Sequence, residues 1–148
     1  MLNLRRILVA VDFTETSDRA FDFALELAQK FGATVTAVHA FEIPVVGFPD
    51  GALVATADVA TRIQEAAKQG LDAAVKARQG KGVEVTGVLR EGSAHEEVKA
   101  VAEQMGMDLV VIGTHGRKGL ARALLGSVAE NVIRTVKLPV LTIHGPRE

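Results

Sequence analysis

The chain has 148 residues, 48% of them hydrophobic, a length that supports one buried core, so we expect a single domain over residues 1–148. The 17 basic and 18 acidic residues leave a net charge of -1, which disfavours nucleic acid as a partner, and the absence of cysteine excludes disulfides and thiolate metal sites. Neither a signal peptide nor an apolar stretch of about 20 residues is visible, so we expect a cytoplasmic protein with no membrane contact.

Five short apolar segments have the length and composition of strands. The first is a run of five apolar residues, which indicates a strand covered on both faces. The third alternates more and the fifth follows Pro139, so we expect both nearer the edges of a sheet. The predicted strands are residues 7–11, 35–40, 83–89, 109–112 and 140–143.

Four helical patterns separate these strands. The first is expected between a cap at Thr14 and Gly32, the second over about 59–79, the third from a capping box at Ser93 and Glu96, and the fourth after Gly126. For the first, third and fourth helices, the predicted apolar faces are Phe21, Ala24, Leu25, Ala28 and Phe31; Val98, Val101, Ala102 and Met105; and Val128, Val132, Ile133 and Val136.

The strict alternation of strands and helices decides the fold class. It requires right-handed crossovers and predicts an α/β protein: a single open, mainly parallel five-stranded sheet with helices on both faces, Rossmann-like in type. Ligands bind such sheets beyond the carboxyl ends of the strands, which here are Val11-Asp12, His39-Ala40 and Ile112-Gly113. The long segment 41–56 leaves the same edge, and both a lid over the ligand and an ordinary loop fit its composition.

A glycine motif follows the fourth strand: Gly113-Thr114-His115-Gly116, nine residues, then Gly126-Ser127. Glycine lets backbone N–H groups approach an anion, and the N-terminus of the next helix adds its positive dipole end. Neither the P-loop pattern nor the dinucleotide pattern G-x-G-x-x-G after the first strand is present. The glycine motif therefore predicts a nucleotide whose phosphates lie after the fourth strand.

Each candidate residue also has a purely structural explanation. Ser127 and Glu130 form a possible capping box, and the glycines could simply make a turn. Asp12 fits a ligand contact and a cap of the first helix equally well. The four histidines lack metal-ligand spacing, so no transition-metal site is expected, and His115 would meet a ligand through its backbone.

The glycine motif resembles the ATP-binding signature of the universal stress protein family. The resemblance covers nearly the whole chain, from the opening Ile7–Asp12 through the alternating elements to the closing segment Leu138–Leu141. It implies the adenine-nucleotide alpha-hydrolase type of fold, a homodimer formed through the last strand, and binding of ATP, ADP or AMP with Mg²⁺ in the stress response.

The resemblance also assigns roles to residues of this chain. Asp12 would meet the adenine or ribose, the backbone of Ala40 the adenine, and the glycine motif the ribose and phosphates. The expected nucleotide-binding residues are Asp12, Ala40, Gly113, His115, Gly116, Gly126, Ser127 and Val128.

Two functions follow from these expectations. The first is a nucleotide-dependent regulator or sensor, in which ATP alters a surface recognised by an unidentified protein partner. The alternative is a slow ATPase or nucleotide-transfer enzyme, which needs a base and a group that positions water. No catalytic residue can be named from the sequence, so the regulator is the preferred hypothesis.

Overall fold

A computed structural model describes residues 2–45, 49, 57–115 and 125–145 of the chain. Within them, five strands and four helices alternate as predicted, with boundaries displaced by a few residues at most. In chain order they are β1 (Arg6–Ala10), α1 (Glu15–Phe31), β2 (Thr34–Phe41), α2 (Ala57–Lys76), β3 (Val85–Glu91), α3 (Ala94–Gln104), β4 (Leu109–Gly113), α4 (Ser127–Thr135) and β5 (Val140–Ile143).

The five strands form one open sheet in the order β3-β2-β1-β4-β5, and every neighbouring pair is parallel. The prediction of an open parallel α/β sheet is confirmed, as are the edge positions of β3 and β5. The central strand β1 places Ile7 beside Val35 of β2 and Leu109 of β4. Ile7, Leu8 and Val9 are completely buried, as expected of a strand covered on both faces.

Two apolar layers cover the two faces of the sheet. One layer joins α1 and α2 to Ile7 and Val9, with Phe21 fully buried inside it. The other joins α3 and α4 to Leu8, with Val132 fully buried. Within the sheet, β2 and β3 lie along one edge of β1, and β4 and β5 lie along its other edge. Among the described residues, no helix is long and apolar enough to span a bilayer.

The apolar faces of the helices were predicted too broadly. Phe31, Met105, Val128 and Ile133 are exposed instead of buried. Phe31 is the last residue of α1, and Met105 lies just beyond α3, where the helix no longer packs on the sheet. On α4 the buried stripe consists of Ala129, Val132 and Val136, spaced three and four residues apart, which turns Val128 and Ile133 outward.

Candidate functional site

A cleft of about 460 Å³ lies at the carboxyl ends of β1, β2 and β4, between the N-termini of α3 and α4. This is the edge at which the strand order reverses beside β1, where ligands of open α/β sheets bind. Its volume lies within the range of small-molecule sites. The lining residues include Asp12, Ala40, Gly113, His115, Gly126, Ser127 and Val128.

The structure therefore brings together seven of the eight residues expected to bind a nucleotide. The eighth, Gly116, lies outside the described residues, as does most of the segment 41–56 that was considered as a lid. Of that segment, Glu42 lines the cleft.

The two halves of the glycine motif meet through a backbone hydrogen bond. The N–H of Gly126 donates to the carbonyl of Thr114 over 2.7 Å. This bond places the first turn of α4 directly beside the end of β4. The two halves of the glycine motif therefore form one edge of the cleft together.

The N-terminus of α4 opens onto the cleft without a side-chain cap. Gly126 is the N-cap residue, and Ser127 is the first residue of the helix. The alternative that Ser127 caps the helix with Glu130 is wrong, because Glu130 pairs with Arg134 at 2.8 Å and no side chain caps α4. The first N–H groups of a helix have no partner inside it, so this end favours an anion.

A second helix N-terminus, that of α3, borders the same cleft. Ser93 is its N-cap residue as predicted, but the predicted capping box is wrong, because no side chain caps the helix. The Ser93 hydroxyl instead lies 3.1 Å from Nδ1 of His95. Both residues line the cleft, so the bond places a hydroxyl and an imidazole near its β2 side.

Of the two roles that its position allowed, Asp12 does not cap α1 itself but holds the residue that does. Its Oδ1 accepts hydrogen bonds from the backbone N–H of Thr14 at 3.1 Å and from the Thr14 hydroxyl at 2.5 Å. Thr14 in turn accepts from the N–H of Ser17 at 3.2 Å and is the true cap of α1. Asp12 thus orients the cap, and it also lines the cleft.

Carboxylates occur on one side of the cleft, at Asp12 and Glu42. Carboxylate oxygens accept hydrogen bonds from hydroxyl or amino groups of a ligand, whereas the N-terminus of α4 supplies donors. Among the described residues, no three histidine or acidic side chains are grouped closely enough to hold a metal ion.

His39 is a cleft residue whose side chain the sequence did not single out. It is 6% exposed, and because Nδ1 lies 2.6 Å from the carbonyl of Val11, Nδ1 carries the proton and donates it. Its ring lies 4.3 Å from that of Phe13, whose backbone has a positive φ of 65°. A histidine inside a buried, mostly apolar strand was the available signal.

The floor of the cleft is formed by small or β-branched apolar side chains from both the sheet and the helices. Apolar side chains of this kind suit a flat aromatic ring. Four of these residues were predicted as buried strand or helix residues and one, Ala129, was not singled out, because their exposure to the cleft depends on where α3 and α4 begin. They are Ala10, Val38, Val98, Ile112 and Ala129.

A second depression of about 550 Å³ lies at the opposite end of the sheet, around the residues that precede β1 and β2. There the N–H groups of Arg5 and Arg6 each donate to Oδ2 of Asp108 over 2.9 Å. The amino ends of parallel strands are not where open α/β sheets bind ligands. The cleft at the carboxyl ends is therefore the candidate site.

Comparison with known proteins points to one family. The universal stress protein family model matches residues 3–144. Universal stress protein MJ0531 of Methanocaldococcus jannaschii is 32% identical over 146 residues, which cover 97% of this chain and 84% of that protein.

Solved structures share the fold over nearly the whole chain. Universal stress protein UspA from Lactobacillus plantarum superposes with a TM-score of 0.82 at 23% identity, covering 95% of this chain and 98% of that one. A universal stress protein in complex with cAMP is 26% identical, with a TM-score of 0.63 and coverage of 97% and 99%.

Proposed function

Since the chain belongs to the universal stress protein family, as its match over residues 3–144 shows, we propose that it binds ATP and acts as a nucleotide-dependent regulator in the stress response. The observation that carries this proposal is the uncapped N-terminus of α4, tied to the end of β4 inside the cleft. We further propose that the protein is cytoplasmic, that it consists of a single domain, and that it acts on a protein partner yet to be identified.

The phosphates are proposed to lie at α4. The N–H groups of Ser127 and Val128 belong to the first turn, where no helical carbonyl accepts from them, and both residues line the cleft. A phosphate there gains hydrogen bonds and the favourable helix dipole. Mg²⁺ would enter with the phosphates, because this ion is usually held by substrate phosphates and one or two carboxylates.

The adenine is proposed to lie on the apolar floor near Ala40, with the ribose toward Asp12. The carboxylate of Asp12 can accept from ribose hydroxyls, and the backbone of Ala40 at the end of β2 can pair with the base. A relative that is 26% identical binds cAMP, which contains the same base and sugar.

The regulator is favoured over a slow ATPase by the chemistry of the cleft. Hydrolysis needs a general base held in place by a third group, commonly a carboxylate. In the cleft, His95 lies against the hydroxyl of Ser93. That bond gives the imidazole a hydroxyl as its partner and not a carboxylate.

The test is a calorimetric titration of nucleotide-stripped protein with ATP and Mg²⁺, followed by chromatography of the recovered nucleotide. We expect saturable binding and recovery of intact ATP. ADP that accumulates with time and protein concentration would favour the ATPase. An absence of binding would contradict the proposal altogether.

We also propose that two copies pair through β5. This strand is the last of the sheet, and all four of its residues are partly exposed. The carbonyls of Pro139 and Ile143 accept hydrogen bonds from the N–H groups of Val110 in β4 and Thr114 just after it, so by alternation the backbone of Thr142 points outward. An open strand edge of this kind pairs readily with a second copy.

Replacing Thr142 with proline should therefore give a folded monomer. The substitution removes an N–H that faces away from β4, and proline is tolerated at such positions. The matched change Leu141→Pro removes an N–H that faces β4 and should destabilise the sheet itself. Sedimentation velocity with circular dichroism distinguishes these effects, and an unchanged dimer in Thr142→Pro would contradict pairing through β5.

A further inference from the structure

The side chain of Thr114 is an unsatisfied polar group at the centre of the candidate site. Thr114 is 2% exposed and lines the cleft, and its Oγ1 is buried with no hydrogen-bond partner among the described residues. Its backbone groups are both used: the N–H donates to the carbonyl of Ile143 at 2.9 Å, and the carbonyl accepts from Gly126 at 2.7 Å. Only the hydroxyl lacks a partner.

The direction of this side chain follows from strand alternation. Gly113 faces α1, because a Cβ added there would lie 2.8 Å from Cγ2 of Thr16. Its neighbour Thr114 therefore faces the opposite layer, with Ile112 of β4 and Ala129 of α4. The hydroxyl thus lies on the side of the sheet that α4 covers, beside the carbonyl that holds the cap of α4.

A buried hydroxyl without a partner destabilises the protein, and valine would occupy the same space without that penalty. Threonine at this position is explained if a ligand supplies the missing partner. Such orphaned polar groups are expected at functional sites more than elsewhere.

We propose that the Thr114 hydroxyl donates a hydrogen bond to the innermost phosphoryl group of the nucleotide, the one attached to the ribose. This inference rests on the proposed function. The neighbouring groups at the N-terminus of α4 are N–H donors, so an acceptor-rich anion fits there better than a ligand hydroxyl. Because the ribose is proposed to lie toward Asp12 at the end of β1, the strand next to β4, the phosphoryl group attached to the ribose is the one nearest the end of β4.

His115 supplies a second unpaired atom at the same strand end. Its Nδ1 is buried without a partner among the described residues. A Cβ added at Gly145 would lie 3.7 Å from Cδ2 of His115 and 3.0 Å from Oγ1 of Thr16, so this ring lies on the side of the sheet that α1 covers. This atom lies on the other side of the sheet from the Thr114 hydroxyl and is not part of the proposed contact.

The test compares AMP, which carries only the innermost phosphoryl group, with adenosine, which carries none. Thr114→Val should lower AMP affinity by about tenfold, as expected for a lost charge-assisted hydrogen bond, and leave adenosine affinity within about twofold. Thr114→Ser retains the hydroxyl and should bind AMP within about threefold of the wild type. Thr114→Ala removes the same hydroxyl from a smaller side chain and should give the same AMP-to-adenosine ratio as Thr114→Val.

Stability provides an independent readout. Because the hydroxyl has no partner without ligand, nucleotide-free Thr114→Val should melt about 3 °C above the wild type. Unchanged AMP affinity, equal losses for AMP and adenosine, or a lower melting temperature of the valine variant would each overturn the assignment. Wild-type protein that binds neither ATP nor AMP would instead contradict the proposed function.

Discussion

Replacement of Ser127 by proline is expected to lower ATP affinity by at least about tenfold while leaving the free energy of unfolding nearly unchanged. Ser127 is the first residue of α4, the position at which proline is best accommodated in a helix. Gly126 before it has φ -61° and ψ 151°, the extended conformation that a residue preceding proline adopts. The substitution thus removes one N–H from the proposed phosphate site without disturbing the helix.

The matched control is Ser127→Ala, which removes the hydroxyl and keeps the N–H. It should retain most of the affinity if the backbone of α4 holds the phosphates. Calorimetric titration with ATP and urea unfolding of both variants measure the two effects separately. Wild-type affinity in Ser127→Pro would show that the N-terminus of α4 is not the phosphate site.

Much of the fold could be predicted because its signals are local. The uninterrupted apolar run of β1 predicts a strand that is covered on both faces, as found. Thr14 and Gly32 predict the two ends of α1, and both residues are its caps in the structure. The alternation of strands and helices then predicts a parallel sheet. The strand pairings themselves, such as Ile7 with Leu109, depend on contacts far apart in sequence and were seen only in the structure.

The candidate site could be predicted where it depends on backbone and strand ends, and not where it depends on side chains from several elements. The position of Asp12 and the glycine motif follows from the sequence. The role of His39 does not, because its partner carbonyl belongs to Val11 on the neighbouring strand. The capping box predicted for α3 and the one considered for α4 are absent for a related reason: the Ser93 hydroxyl bonds to His95, and Glu130 pairs with Arg134.

Gly113, the first glycine of the motif, has a packing role that could not be predicted from the sequence. Gly113 was expected to bring its N–H close to a ligand, and it does line the cleft. The structure adds a packing requirement, because a Cβ there would lie 2.8 Å from Cγ2 of Thr16 and 3.3 Å from the Thr16 backbone. Close approach of α1 to β4 thus requires glycine whether or not a nucleotide is bound.

Gly113→Ala is therefore expected to destabilise the protein by about 1–3 kcal/mol, the usual cost of overpacking a core contact. Urea unfolding of nucleotide-free protein measures this cost without any contribution from a ligand. Alanine is compatible with strand backbone, so conformational strain adds little, and the loss should come from the contact with Thr16.

The double variant Gly113→Ala with Thr16→Ser isolates that contact. Serine at position 16 lacks Cγ2, the atom closest to the added methyl group, and retains the hydroxyl. The double variant should recover part of the lost stability but not all, because the Thr16 backbone stays at 3.3 Å from the new Cβ. Additive losses in the cycle would mean that α1 does not set the requirement, and the glycine would then be explained by the ligand alone.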